Sequence, residues 1–468
     1  MDDQICRLDV RSIATHYRDG SLSPIDVVDA FLERIERLNP SLNAFVLVTA
    51  EAARHAARRA EDRLRTSDKE SLPPLFGIPF SVKDTLPTAG IRTTFGSPLF
   101  ADFVPTEDAA VVATLNRAGA ILLGKTNTPA FGWMGATQNL LFSATPNPWD
   151  AAVTAGGSSG GTAVAACARL APINIGTDGG GSLRIPAAFT GTVGFKPSYG
   201  RVPNYPTGAN WSLQHIGPIA RSVDNIIATL DTIAQPDPRD PYSLPTCGWK
   251  YDDPQNASQP LKIIFAPDLG FAESVDDEIV AVCRKAVAVF VDMNHEVVER
   301  KLDWPSPIEF WRTLFVTGAA DRLAAFLQDR SDQIEPTLRD FIIEGKNLPA
   351  DAYYKACISR NDWWQNVRAT FDDCDLLITP TVACSPFPLG LETPGKVAGR
   401  AVSFYGWSPF CPPFNLTGQP AISVPAGRSA NGLPVGLQIV GRRFADATVL
   451  AVAAAFESAR PWPEWSEA

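Results

Sequence analysis

Apolar and polar positions repeat along this chain with two periods. Val27, Val28, Phe31, Leu32 and Ile35 follow the 3.6-residue stripe of an amphipathic helix. Ser23-Pro24-Ile25-Asp26 supplies its start, with Ser as N-cap, Pro at the first helical position and an acid three residues after the cap. Pro40 predicts its end. Further helices are predicted over residues 50–65, 109–118, 222–233, 275–292 and 446–458, with a mostly helical excursion at 306–374. Between them lie short apolar runs of the kind that fill a covered sheet, at 75–84, 121–123, 261–266, 376–381, 421–425 and 435–440. Residues 191–200 are turn-rich, 211–218 follow with no element predicted, and 235–260 form a Pro/Asp-rich loop. Strands alternating with helices over the whole length predict an α/β class, and no stretch is disordered enough to split it, so 1–468 is expected to be one large domain.

One stretch breaks both periods. Residues 156–186 read GGSSGGTAVAACARLAPINIGTDGGGSLRIP, two glycine-serine loops bracketing a small-residue helix and an apolar strand. Glycine at this density implies backbone in unusual conformations or in close approach to a neighbour. Each cluster also presents a serine hydroxyl. Ser182 follows three glycines, so the N–H groups of 179–182 are free to converge where an oxyanion develops. A helix of Ala163, Val164, Ala165, Ala166, Cys167 and Ala168 packs closely enough to bring Ser158 and Ser182 to one end.

Composition narrows the function. Apolar residues make up 45% and charged residues 20%, an ordinary globular balance. The 40 prolines among 468 residues exceed the usual share of about 5% and imply many ordered turns. Net charge is −10 with no basic run, which argues against a nucleic-acid or anionic-membrane surface. No 18-residue apolar run occurs and residues 1–20 have no signal-like apolar core, so a soluble cytoplasmic protein is expected. Cysteines at 6, 167, 247, 283, 357, 374, 384 and 411 form no C-x-x-C pair and read as reduced thiols. The four histidines (16, 55, 215, 295) are too dispersed for a zinc site, and neither metal nor cofactor is expected.

A serine nucleophile needs a proton acceptor. Gly156-x-Ser158-x-Gly160 satisfies G-x-S-x-G, with His215 or His295 as base, but no convincing strand precedes it as a nucleophile elbow requires. Lys83, at the end of an apolar run, is the other candidate, provided burial lowers its pKa by several units. Gly119 to Thr126 matches G-x-x-x-x-G-K-[ST], yet its Ala-Ile-Leu-Leu middle belongs in a sheet and not in a phosphate loop.

At these residues the chain resembles the amidase signature family. The core GGSSGG…GTDGGGSLRIPAAFTGTVGFKPSYGR is its signature stretch. GIPFSVKD, GAILLGKTNTPAFGW, HIGPIARSVDN and FNLTGQPAISVPAG…LPVGLQIVGRRFAD extend the likeness along nearly the whole chain. The resemblance implies a mixed sheet flanked by helices, with the signature core at about 75–225. It implies a Ser–cis-Ser–Lys triad: Lys83 as base, Ser158 as bridge, Ser182 as nucleophile, and an oxyanion hole from Gly179, Gly180, Gly181 and Ser182. Asp178 and Arg184 would steady that loop. Gly179 stands where the family more often carries a larger residue, and GFKPSYG departs from the commoner GLKPT. The implied activity is hydrolysis of a linear carboxamide or carbamate by a monomer or homodimer. The candidate wall residues, Phe131, Trp133, Met134, Thr137, Gln138, Tyr205, Trp211, Phe404, Tyr405 and Trp407, are rich in aromatics and suggest a hydrophobic or aryl substrate. The triad-bearing component of a tRNA-dependent amidotransferase is the alternative, from which 204–213 and 404–411 look different.

Overall fold

Ser23 opens its helix as the sequence predicts. Its Oγ accepts from the Asp26 N–H at 3.1 Å while Asp26 accepts from the Ser23 N–H at 3.3 Å. The helix Pro24–Leu42 then runs through Pro40 instead of stopping before it. Pro40 falls in the last turn, where one lost N–H bond is tolerable, and Asn43 closes the helix with its N–H on the Asn39 carbonyl at 2.8 Å. These coordinates are a computed structural model that describes residues 2–208, 210–246, 251 and 259–465. Part of the 235–260 loop and Cys247 therefore lie outside the described residues.

Fifteen strands are found among the described residues: β1 (Phe45–Val48), β2 (Pro79–Lys83), β3 (Ile121–Thr126), β4 (Pro146–Asn147), β5 (Asp150–Thr154), β6 (Ile173–Asp178), β7 (Val193–Lys196), β8 (His215–Ala220), β9 (Lys262–Phe265), β10 (Glu296–Glu299), β11 (Leu376–Pro380), β12 (Lys396–Val397), β13 (Arg400–Ala401), β14 (Ala421–Arg428) and β15 (Pro434–Gly441). Eleven make one sheet in the order β1-β3-β2-β6-β8-β7-β14-β15-β11-β9-β10, while β4–β5 and β12–β13 form small ribbons. The sheet is mixed. β2 is parallel to β3 and β6, and β9 to β10 and β11, while the remaining pairs are antiparallel.

Both faces of the sheet are covered, so its strands read as continuous apolar runs. Consecutive residues point to opposite cores. Ile263, Phe265, Leu376 and Ile378 pack with the N-terminal helices and with Val223–Ile233, Asp277–Asp292 and Asp446–Ala459. Ile264 and Leu377 face the other way, into an aromatic core built by the excursion helices Ile308–Leu323, Pro336–Asn347 and Ala350–Thr370. In place of a strand over 75–84, residues 75–78 form a turn with Gly77 at φ +76°. The segment 191–200, expected to be turn-rich, carries β7, and β8 begins within 211–218, where no element was predicted. Their glycines and Pro218 masked them; the β7 ladder on β8 covers only Ile219 and Ala220, and Pro218 lies beyond it.

Candidate active site

The two glycine-serine loops meet. The helix Gly160–Cys167 is buried along its whole length, and Ala163 and Ala166 pack on Leu183, Ala187 and Ile219. Only small side chains allow that approach. Ser159, between the loops, donates its N–H to the Ser182 carbonyl at 3.2 Å and its Oγ–H to the Thr177 carbonyl at 3.1 Å. The Gly157–Ser158 peptide is cis.

Lys83 ends β2, parallel to β6, and its side chain is fully buried. Nζ donates to Ser158 Oγ at 2.7 Å and to Thr177 Oγ1 at 2.9 Å. Both partners are hydroxyls. Burial pulls the pKa down to about 7, against the raising pull of the Asp178 charge. Ser158, Thr177 and Ser182 line one cavity together with Gly179 and Gly180. Thr177 was not singled out in the sequence; its place just before Asp178 in the signature stretch was the available signal.

The loop after β6 is held from behind. Arg184 has all five N–H donors engaged: on both Asp178 oxygens at 2.9 Å, on the Cys411 carbonyl at 3.0 Å, and on Gln438 and Asn415 at 2.7 Å each. Burial alone would raise the Asp178 pKa, but the Arg184 guanidinium outweighs it and holds the carboxyl below the usual carboxylate range. Asp178 also accepts from the Gly181 N–H at 2.7 Å and the Leu183 N–H at 3.1 Å. Gly181, at φ +127°, turns its amide inwards to make that bond. Its N–H is therefore engaged, whereas the N–H groups of Gly179, Gly180 and Ser182 have no acceptor among the described residues. Of the four amides expected to serve an oxyanion, three are thus free of a described acceptor.

The cavity encloses about 370 Å³. Of the expected wall residues, Phe131, Trp133, Met134, Tyr405 and Trp407 line it. Four others are placed elsewhere. Thr137 is a structural link, donating to the Gly156 carbonyl at 2.8 Å and accepting from the Gly160 N–H at 3.0 Å. Gln138 reaches out to the Gly390 carbonyl at 3.2 Å. The Tyr205 hydroxyl donates to Glu107 at 2.9 Å under the Arg239 guanidinium, and Trp211 stacks on Tyr242 at 4.9 Å. Phe404, beside Tyr405 in the same expected segment, lines it too, whereas sequence reasoning missed Trp311 and Phe315, which the excursion brings to the wall. Trp311 spans the cavity's two sides, donating Nε1–H to the Gly179 carbonyl at 3.1 Å and standing edge-on to Tyr405 at 4.9 Å.

The rejected motifs find plain explanations. Lys125 of the phosphate-loop pattern is buried in β3, its Nζ donating to the Leu86 carbonyl and to Thr88 and Thr93 hydroxyls at 3.1 and 3.0 Å. His215 is buried with Nδ1 at 2.9 Å from the Leu213 carbonyl, and burial with the nearby Lys196 charge pushes its pKa well below the ordinary value. Neither His215 nor His295 lines the cavity. Among the described residues, no helix is long and apolar enough to cross a membrane, and no cluster of His, Cys, Asp or Glu is placed to hold a metal ion.

Comparison with known proteins agrees with this geometry. The family profile described as Amidase matches residues 26–450. The chain belongs to the amidase family. An acylamidase of Rhodococcus erythropolis is 36% identical over 463 residues, 98% of this chain and 96% of that protein. The A component of the glutamyl-tRNA(Gln) amidotransferase of Synechococcus sp. (strain CC9605) is also 36% identical, over 94% of both chains. The solved structure of a bacterial aryl acylamidase of the amidase signature family superposes with a TM-score of 0.91 at 30% identity, covering 97% of this chain and 96% of its own. This amidase is an amide hydrolase with the family's mixed α/β architecture.

Proposed function

We propose that this amidase hydrolyses acyl amides bearing an aryl group, with Lys83 as base, Ser158 as proton bridge and Ser182 as nucleophile. The observation that carries the reading is a fully buried lysine whose amine, among the described residues, hydrogen-bonds only to hydroxyls, Ser158 among them at 2.7 Å, in a cavity Ser158 shares with Ser182. With a pKa near 7, an appreciable fraction of Lys83 is neutral at physiological pH and can accept a proton. Lys83 takes the Ser158 proton as Ser158 takes that of Ser182, and the Ser182 oxygen adds to the amide carbonyl carbon. The resulting oxyanion rests on the N–H groups of Gly179, Gly180 and Ser182, each such donor being worth about 3 kcal/mol of barrier. Collapse breaks the C–N bond while Lys83 returns its proton through Ser158 to the leaving nitrogen. Water then enters the same relay, loses a proton to it, and releases the acid from Ser182.

The aryl preference rests on the wall of Trp133, Trp311, Phe404, Tyr405 and Trp407 around the reacting hydroxyls. The acylamidase and aryl acylamidase relatives support it. Aryl carbamates present the same carbonyl and leaving nitrogen and belong to the same substrate class. A panel of anilides, aliphatic amides, esters and aryl carbamates, run on the purified protein and on Ser182→Ala, is the test. Turnover of anilides that vanishes in the variant, with fluorophosphonate labelling of Ser182 in the wild type, is expected. Near-wild-type turnover by Ser182→Ala overturns the reading. Glutaminase activity appearing only with a copurifying partner would favour the amidotransferase alternative.

A further inference from the structure

Arg322, at the end of the helix Ile308–Leu323, lines the substrate cavity. Its guanidinium carbon lies 4.7 Å from the Phe95 ring centroid and 5.3 Å from that of Phe131. Those two rings stack on each other at 6.0 Å, and Phe100 stands edge-on to both. The cation is thus braced against aromatic surface, which leaves the N–H groups in its plane to find acceptors elsewhere.

They have found none. No described carboxylate, carbonyl or hydroxyl accepts from Arg322. Asp321 and Glu392 share the lining, but neither pairs with it. Of the other arginines of the excursion, Arg312 is engaged on Glu344, Arg330 on Gln333 and the Leu99 carbonyl, Arg360 on the Leu416 and Ser212 carbonyls and Arg368 on Asp372, while Arg339, which does not line the cavity, has no side-chain partner among the described residues. A braced arginine with idle donors, opening onto a substrate cavity, suits a planar anion bound through two parallel hydrogen bonds.

Phe131 links it to the chemistry. Gly132 follows Phe131, and a Cβ at Gly132 would stand 3.0 Å from Ser158 Oγ and 3.6 Å from Lys83 Nζ. One phenyl ring therefore separates the guanidinium from the segment that touches the relay. We propose that Arg322 is a specificity residue that binds a carboxylate on the substrate, a few bonds from the scissile amide. The inference rests on the aryl amide reading above and extends it to amides carrying an acid group on the acyl chain or on the aryl ring.

Two matched pairs test it: N-phenylglutaramic acid against N-phenylpentanamide, and 4-acetamidobenzoate against acetanilide. At least one acid is expected to exceed its neutral partner in kcat/KM by about tenfold to a hundredfold, the range of a charge-assisted hydrogen bond. Arg322→Gln should erase that preference by raising KM for the acid, leaving the neutral partner within about twofold and kcat little changed. Arg322→Lys should restore part of the preference, and added salt should weaken it in the wild type. Wild-type preference for the neutral member of both pairs overturns the assignment. An equal loss on acid and neutral substrates in Arg322→Gln also overturns it, by reducing Arg322 to a support for Phe95 and Phe131. Failure of the wild type to cleave any of the four removes the aryl amide reading itself, and this assignment with it.

Discussion

The cavity has two unlike walls. One is backbone and hydroxyl: Ser158, Thr177, Gly179, Gly180 and Ser182, gathered from two loops 24 residues apart by the small-residue helix and β6. The other is aromatic, built from Trp133, Trp311, Phe404, Tyr405 and Trp407, which come from segments far apart in the chain. The polar wall is fixed by hydrogen bonds that leave little freedom, with Arg184 and Asp178 pinning the loop from behind. Among the described residues the aromatic wall is joined to it by a single hydrogen bond, Trp311 Nε1–H to the Gly179 carbonyl. On the proposed mechanism, position of reacting atoms is a matter of the first wall, and choice of substrate a matter of the second.

That division can be tested where the walls touch. A Cβ at Gly180 would stand 2.5 Å from the Trp311 ring, so Gly180→Ala must push the tryptophan or the loop. Displacing a reacting loop by a fraction of an ångström is expected to lower kcat by roughly a hundredfold, read by steady-state kinetics with a thermal melt to confirm folding. A Cβ at Gly179 meets nothing within 4 Å, so Gly179→Ala should stay within about twofold of wild type, despite being the adjacent residue. Equal losses in the two variants would mean that loop flexibility matters and not contact with Trp311. A smaller effect probes the contrast from the other side. Phe315→Ala removes apolar surface that lines the cavity without reaching the loop, and should raise KM for anilides about tenfold with kcat little changed. A fall in kcat instead would show that the aromatic wall also positions the reacting atoms.

The same contrast explains what could be read in the chain. The polar wall was legible because glycine clusters and paired serines mark it locally, and the helix between them is recognisable by its alanines. The aromatic wall was half legible. Phe131, Trp133 and Met134 adjoin signature segments, while Trp311 and Phe315 sit on a helix whose partners are set by tertiary packing. Thr137 and Tyr205 misled because side-chain type says nothing about direction: each satisfies a hydrogen bond away from the cavity. Burial of a lysine was equally uninformative. Lys83, Lys125 and Lys196 are all fully buried after apolar runs. Lys125, lowered to about 8 by burial, has the Asp84 carboxylate 3.9 Å away and rests on a backbone carbonyl, and Lys196 reaches the Pro197 and Gln419 carbonyls. Of the three, Lys83 alone has its amine held by hydroxyls only, and two of its neighbours there are serine and threonine of the cavity. Partner identity distinguishes them, and no periodicity encodes it.

The proposed relay depends on an uncharged Lys83, and the pH dependence of kcat/KM reads that charge. Lys83 has its pKa lowered to about 7, and in the proposed relay the neutral form is the active one. Activity should therefore be level above pH 7 and fall about tenfold per unit below it, and Lys83→Ala should lose roughly a thousandfold or more together with that ionisation. A wild-type profile flat from pH 5 to 9, or an ionisation near 7 that survives in Lys83→Ala, would contradict a lysine base.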